Sequence, residues 1–165
     1  FRTAVAAVLA LSVSFGSVLM FSPEARAWME QMMLRIHDRY SAIHFVSDSP
    51  VDELPHWTPA WLPEGYRLEQ AIYDPFYSIL SYSNSSGERI SIHYMPADNN
   101  AFQVDNEHHK LLTIQVNGTN AILHLSVEPG HSSSLVWAYH DTAFLLLSDL
   151  PVDEMVKIAE SMKIS

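Results

Sequence analysis

An uncharged apolar segment near the start of the chain most constrains how the protein can fold. Ala4–Phe21 forms 18 consecutive residues without a charged side chain, with Arg2 before it and Glu24 shortly after it. As a helix this segment would span about 27 Å, close to the thickness of the hydrocarbon core of a bilayer. The segment therefore directs the rest of the chain across a membrane, with Arg2 on the inner side.

The segment has two interpretations. Its length favours a retained membrane helix, whereas Ala25-Arg26-Ala27 has the small-residue pattern of a signal-peptide cleavage site. The chain begins with Phe1, and a native chain that starts further upstream would favour the anchor. We expect residues 1–27 to be a transmembrane or signal segment of a single-pass protein of the cell membrane, with the C-terminal domain extracytoplasmic. Cleavage after Ala27 would instead release a secreted protein.

Composition narrows the possible partners. The chain has a formal net charge of −10, so it lacks the clustered Lys and Arg that nucleic acid binding needs. It has no Cys, which excludes disulfides and thiolate sites. The expected partners are the membrane, through residues 4–21, and an envelope protein, peptide or polysaccharide. Nucleic acid is not expected.

The next two regions differ in their patterns. In residues 28–46, apolar side chains recur at spacings of three and four, which predicts an amphipathic helix over 28–43. Residues 47–60 contain Pro50, Pro55 and Pro59, so this region is predicted to be a linker or an extended wrap rather than a helix. The helical pattern rests on Trp28, Met32, Ile36, Tyr40 and Ile43.

Residues 61–165 are predicted to form an extracytoplasmic α+β domain. Apolar alternation with a period of two predicts an antiparallel sheet of about six or seven strands, and Asn117-Gly118 is the strongest hairpin signal. Residues 96–109 are predicted to be a polar loop. From Pro151 to about Met162 a final helix is expected, which should pack on the sheet. Its apolar stripe is Val152, Met155, Val156, Ala159 and Met162.

The order of these elements resembles the family known as the domain of unknown function 4367. This resemblance implies an extracytoplasmic domain of membrane-anchored, often anti-sigma-factor-like proteins of Gram-positive spore-forming bacteria. It extends over about Leu62 to Met162 and implies no catalytic residues. The residues that carry it are Glu24-Ala25-Arg26-Ala27-Trp28 after the apolar segment, Leu62-Pro63-Glu64-Gly65-Tyr66, Val116-Asn117-Gly118, Leu135-Val136-Trp137, Phe144-Leu145-Leu146-Leu147-Ser148 and Glu154–Met162.

Histidines are the residues that most invite a metal hypothesis, because the chain has nine of them. Neighbours on a strand point to opposite faces, so His108 and His109 would chelate poorly. His93 and His124 lie on separate strands and could meet across the sheet. The pattern favours surface or half-buried imidazoles, and we predict no metal site and no cofactor.

Aromatic side chains provide the predicted partner-binding site. Trp57, Trp61 and Tyr66, with Tyr73, Phe76 and Tyr77, form the densest aromatic group in the sequence. Exposed aromatics stack on sugars or bind peptides, whereas buried ones would pack the linker on the sheet. The sequence predicts a non-enzymatic, membrane-anchored sensor or interaction domain, and the family resemblance implies a link to anti-sigma signalling. The alternative is a secreted binding protein for a cell-wall polymer or peptide.

Overall fold

The computed structural model describes residues 32–36, 40–45, 53–97, 101–105 and 108–165. The predicted membrane segment, residues 1–27, lies outside these ranges, and within them no helix is long and apolar enough to cross a bilayer. The described residues form one helix and twelve strands. In chain order these are β1 (Met32–Ile36), β2 (Tyr40–Phe45), β3 (Trp57–Pro59), β4 (Arg67–Ile72), β5 (Ser78–Ser83), β6 (Arg89–Pro96), β7 (Ala101–Asp105), β8 (His109–Val116), β9 (Thr119–Ser126), β10 (Ser133–Tyr139), β11 (Thr142–Ser148), α1 (Val152–Glu160) and β12 (Met162–Ile164).

A seven-stranded antiparallel sheet in the order β4-β5-β6-β11-β10-β9-β8 is the centre of the fold. This confirms the predicted antiparallel sheet. Asn117 and Gly118 have φ angles of 51° and 77° and close the β8–β9 hairpin, in which Val116 faces Thr119. Two positive φ angles match the right-handed twist of the strands, and for this reason Asn-Gly is a strong hairpin signal.

The C-terminal helix packs on one face of the large sheet, as predicted. Met155, Ile158 and Ala159 of α1 are buried in one cluster with residues of the large sheet, and the helix contacts β11 and β8. Asp153 and Glu154 lie in the first turn, where carboxylates interact favourably with the helix dipole. Ile158 was not part of the predicted stripe, although it is fully buried.

The opposite face of the large sheet carries a second core. A three-stranded sheet in the order β1-β2-β7 contributes Ile43 and Phe45 from β2 and Phe102 and Val104 from β7. These side chains pack in one cluster with residues of the large sheet. The residues from the large sheet are Met95, Ile122, Val136, Ala143 and Leu145.

Two predictions of local structure are wrong. Residues 32–36 and 40–45, which overlap the predicted helix 28–43, are strands, and Ala42, Ile43 and Phe45 of the second strand are buried. Within the predicted loop 96–109, residues 101–105 form β7, which pairs with β2. In each case pairing with a distant strand outweighs the local pattern, because sheet formation depends on neighbours more than on propensity.

The described part of the Pro-rich region, residues 53–60, runs beside the C-terminal strand and contributes Leu54 and Trp57 to the core. Within it, β3 pairs with β12, so that Trp57 faces Ile164. Further bonds run from Ala60 N to Ser161 O and from Ser165 N to His56 O, each 2.9 Å long. The start and the end of the described C-terminal domain are therefore held side by side.

Candidate functional site

Trp57, the first predicted partner-binding residue, lies in the core. It is 1% exposed, and its ring meets that of Phe144 edge to face at a centroid distance of 5.3 Å. The amide of Trp57 donates to the hydroxyl of Tyr94 at 3.2 Å. Trp57 therefore attaches the extended segment to the sheet and offers no surface to a partner, which corrects its predicted role.

Trp61 and Tyr66 make contacts within the domain. The ammonium nitrogen of Lys157 lies 3.9 Å from the centroid of the Trp61 ring, and the Trp61 amide donates to Ser161 Oγ at 3.1 Å. The hydroxyl of Tyr66 donates to Glu88 Oε2 at 3.4 Å. Partial burial, aided by the Glu88 carboxylate, raises the pKa of Tyr66. Both rings are half-buried rather than fully available to a partner.

The exposed aromatic side chains are the later members of the same sequence cluster. Tyr73, Phe76 and Tyr77 lie on the connection between β4 and β5, and we call this connection, residues 73–77, the aromatic turn. Phe76 is 75% exposed, the highest value among the large apolar side chains that the structure describes. The structure thus divides the predicted aromatic group into a buried part and an exposed part.

The aromatic turn is held by hydrogen bonds among Asp74, Phe76 and Ser78, the first residue of β5. Asp74 Oδ1 accepts from the Phe76 amide at 2.9 Å, and the Asp74 amide donates to Ser78 Oγ at 3.3 Å. The Ser78 hydroxyl in turn donates to the Asp74 carbonyl at 3.3 Å. Pro75 adds a fixed φ between them. The turn therefore presents Phe76 to solvent from a backbone that is already ordered.

Contacts on either side hold the two tyrosines. The ring of Tyr73 stacks on that of His56 at a centroid distance of 4.1 Å. The Tyr77 hydroxyl lies 2.6 Å from Nδ1 of His93, whose Nε2 lies 2.8 Å from Ser91 Oγ. Burial lowers the pKa of His93 and raises the pKa of Tyr77. Of the three aromatic side chains, Phe76 is the most exposed.

The strand that leads into the aromatic turn forms an edge of the large sheet. All six residues of β4 are exposed, and β4 pairs only with β5 in this sheet. The register shifts between Leu68 and Gln70, which bends the strand at this point. Leu68 and Ile72 add exposed apolar side chains next to the aromatic turn.

A second group of polar side chains lies at the opposite edge of the large sheet. One nitrogen each of His108 and His131 and one carboxylate oxygen of Glu128 all lie within 4.8 Å of one another. His108 Nδ1 is 3.2 Å from Glu128 Oε2, and the His108 and His131 rings stack at a centroid distance of 4.4 Å. Two imidazoles and a carboxylate are a donor set that transition metals accept.

Sequence reasoning missed this group, although a signal for it exists. The Asn117-Gly118 hairpin sets the β8–β9 register, and counting outwards from it pairs His109 with Ser126. His108 then falls beside the loop that carries Glu128 and His131. By contrast, His93 and His124 do not meet, because β11 and β10 lie between their strands and separate them by about 14 Å.

His124 is a buried histidine without polar partners. Its side chain is 0% exposed, and neither ring nitrogen has a hydrogen-bond partner. Burial, with a smaller contribution from His109, lowers the pKa of His124 to about 4. The imidazole is therefore neutral at neutral pH and acts as a packing side chain.

Comparison with known proteins identifies the family. A family described as a domain of unknown function, DUF4367, matches residues 57–162, from β3 to the first residue of β12. The match contains the whole seven-stranded sheet, β7 and α1, and it confirms the family resemblance seen in the sequence. A search of curated proteins finds no match to the chain. The chain belongs to the DUF4367 family.

Proposed function

We propose that this chain is a non-enzymatic interaction domain of the bacterial cell envelope. In this proposal Ala4–Phe21 holds the domain at the outer face of the cell membrane, and the aromatic turn binds an extended segment of another envelope protein. Binding at this surface would make the domain a sensor, in line with the anti-sigma-like setting that the family resemblance implies.

The exposure of Phe76 on an ordered turn is the observation that carries this proposal. A protein-binding surface gains most from large aromatic side chains that are buried on association. Because the bonds of Asp74 and Ser78 already order the turn, little conformational entropy remains to be lost when a partner covers Phe76. Such a side chain also has an unfavourable contact with water, which a partner would remove.

The neighbouring edge strand favours a peptide as the partner. The outer edge of β4 presents backbone N–H and C=O groups beside Leu68 and Ile72, and an extended peptide can add to such an edge as a further strand. Arg67 and Glu69 on this strand supply one charge of each sign for register and specificity. We therefore favour a peptide segment over a polysaccharide.

Site-specific photo-crosslinking in intact cells tests the proposed surface. A photoreactive amino acid replaces Phe76 in the full chain, and the matched control replaces Gln115, an exposed residue of β8 at the opposite edge of the sheet. We expect one discrete protein adduct from position 76 and none from position 115. Equal labelling at the two positions, or labelling at neither, would contradict the proposed surface.

Fractionation of a C-terminally tagged chain tests the location separately. Retention in membranes after a carbonate wash, with the tag accessible to protease on intact cells, is the expected result. Recovery from the medium of a form that begins at Trp28 would instead support the secreted alternative. The two experiments are independent, because a secreted protein could still bind a partner through the aromatic turn.

A further inference from the structure

His108, Glu128 and His131 come together where the β9–β10 loop passes the start of β8. Glu128 and His131 are the first and last residues of the four-residue segment Glu128-Pro129-Gly130-His131. Pro at the second position and Gly at the third, here with φ of 89° at Gly130, fit a type II turn, which brings its end residues close together. Glu128 and His131, two of the three side chains in the group, are thus neighbours because of the local turn.

Backbone hydrogen bonds place His108, the third residue of the group, against this turn. The Val127 amide donates to the His108 carbonyl at 3.0 Å, which continues the β8–β9 ladder by one step. Within the loop, the Ser126 hydroxyl donates to the Glu128 carbonyl at 2.9 Å, and the Ser126 amide donates to Ser133 Oγ at 3.1 Å. The loop is therefore held at both ends, and its position relative to His108 is fixed.

The distances approach those of a metal site. Four tetrahedral ligands at the usual Zn²⁺ distances lie roughly 3.4 Å apart, and His108 Nδ1 to Glu128 Oε2 is 3.2 Å. The largest separation in the group is within 4.8 Å, so rotation of an exposed side chain such as His131 would close it.

Beside the group lies a further histidine with a buried, unpartnered nitrogen. His109 Nε2 donates to the Ser132 carbonyl at 2.9 Å, and its ring meets that of His131 edge to face at 6.3 Å. This bond assigns the proton of the neutral ring to Nε2 and leaves the lone pair on Nδ1, which is buried without a partner.

We propose that His108, Glu128 and His131 form a binding site for a divalent transition metal ion, with Zn²⁺ as the ion that fits best. Two imidazole nitrogens with one carboxylate oxygen suit Zn²⁺ and its neighbours Ni²⁺ and Cu²⁺, whereas Ca²⁺ and Mg²⁺ prefer ligand sets made of oxygen. Three protein ligands leave at least one coordination position for water or for a side chain of a partner.

This site is independent of the proposed partner surface. The strands β4 and β8 lie at opposite edges of the large sheet, six strand spacings or about 29 Å apart. Failure of one proposal therefore leaves the other intact.

Calorimetric titration of the full chain in detergent with Zn²⁺ alone tests the site. We expect one ion per chain, and we expect His131→Ala and Glu128→Gln each to weaken binding at least tenfold. His56→Ala is the matched control, since His56 is an exposed histidine that stacks on Tyr73 away from the site, and its affinity should equal that of the unchanged chain.

Thermal unfolding with and without Zn²⁺ separates a loss of metal binding from a loss of stability. Without metal, the His131→Ala and Glu128→Gln chains should melt with the unchanged chain, because both side chains are exposed. With Zn²⁺, only the unchanged chain and His56→Ala should gain stability, as an ion that binds the folded state requires. Absence of binding, or binding that both site variants retain, would overturn the proposal.

Discussion

His124 lies directly opposite Ser134 across the β9–β10 pair, and both side chains are buried without a hydrogen-bond partner for their polar atoms. Buried polar atoms without partners destabilise a fold, since they lose their bonds to water and gain none in return. These two residues therefore lower the stability of the fold on the face of the large sheet that also carries the second core.

The first prediction is that His124 makes the fold sensitive to acid. On folding, the pKa of His124 falls from 6.5 to about 4. Between pH 6.5 and pH 4 the imidazole is therefore protonated in the unfolded chain and neutral in the folded chain. Above pH 6.5 the titration of His124 does not lower the free energy of unfolding. As the pH falls from 6.5 towards 4, this free energy decreases progressively, by roughly 3 kcal/mol in all.

His124→Leu removes this dependence. Urea unfolding at pH 7 and pH 5 should show a smaller loss of stability for the variant than for the unchanged chain. At pH 7 the variant should be as stable or more stable, because leucine leaves no unpaired nitrogens in the core. Parallel pH profiles for the two chains would show that His124 is not the group responsible.

The second prediction contrasts two aromatic residues of the predicted site. Trp57→Ala should destabilise the fold by about 3–5 kcal/mol, because it leaves a cavity beside Phe144. Phe76→Ala should change stability by no more than about 0.5 kcal/mol, because that ring is largely in solvent. Urea unfolding of the two variants measures both effects, and similar losses would show that the aromatic turn is part of the core.

The third prediction concerns the helix. Met155→Asp places a carboxylate at a fully buried position between α1 and the sheet, which should cost more than about 3 kcal/mol. Met155→Leu is the control, with an expected loss below about 1.5 kcal/mol since the volume is retained. Equal melting temperatures for the Asp variant and the unchanged chain would mean that α1 does not dock on the sheet.

The fourth prediction concerns the three-stranded sheet. Phe102 of β7 meets Phe45 of β2 edge to face at 6.5 Å and is buried, so Phe102→Ala should cost about 3–5 kcal/mol. Gln103→Ala changes an exposed neighbour on the same strand and should have little effect. A negligible effect of Phe102→Ala on urea unfolding would show that the three-stranded sheet does not unfold together with the large sheet.

Local signals in the sequence were enough to predict the large sheet. The Asn117-Gly118 turn and the regular alternation of its strands depend on neighbours in the chain, and so does the helix after Pro151. The strand that contains Ile43 could not be predicted from local signals alone. Tyr40 and Ile43 fit a helical spacing, while Ile43 and Phe45 fit a strand, and only pairing with β7 decides between the two.

The candidate site could be predicted by region but not by residue. Aromatic density pointed to residues 57–77, yet which rings are exposed depends on elements from the end of the chain. β12 pairs with the strand that contains Trp57, and Lys157 of α1 lies over the ring of Trp61. Both partners come about a hundred positions later in the chain. Phe76, by contrast, lies largely in solvent.

The pairing of β3 with β12 has a mechanical consequence. Since these strands are antiparallel, the incoming end at His56 and the outgoing end at Ser165 lie on the same side of their short ladder. A pulling force applied at His56 and Ser165 would peel the two strands apart one rung at a time rather than shear them together. The pair Trp57–Ile164 would be the first rung to open, and Trp57 would then be the first side chain of this ladder drawn into water.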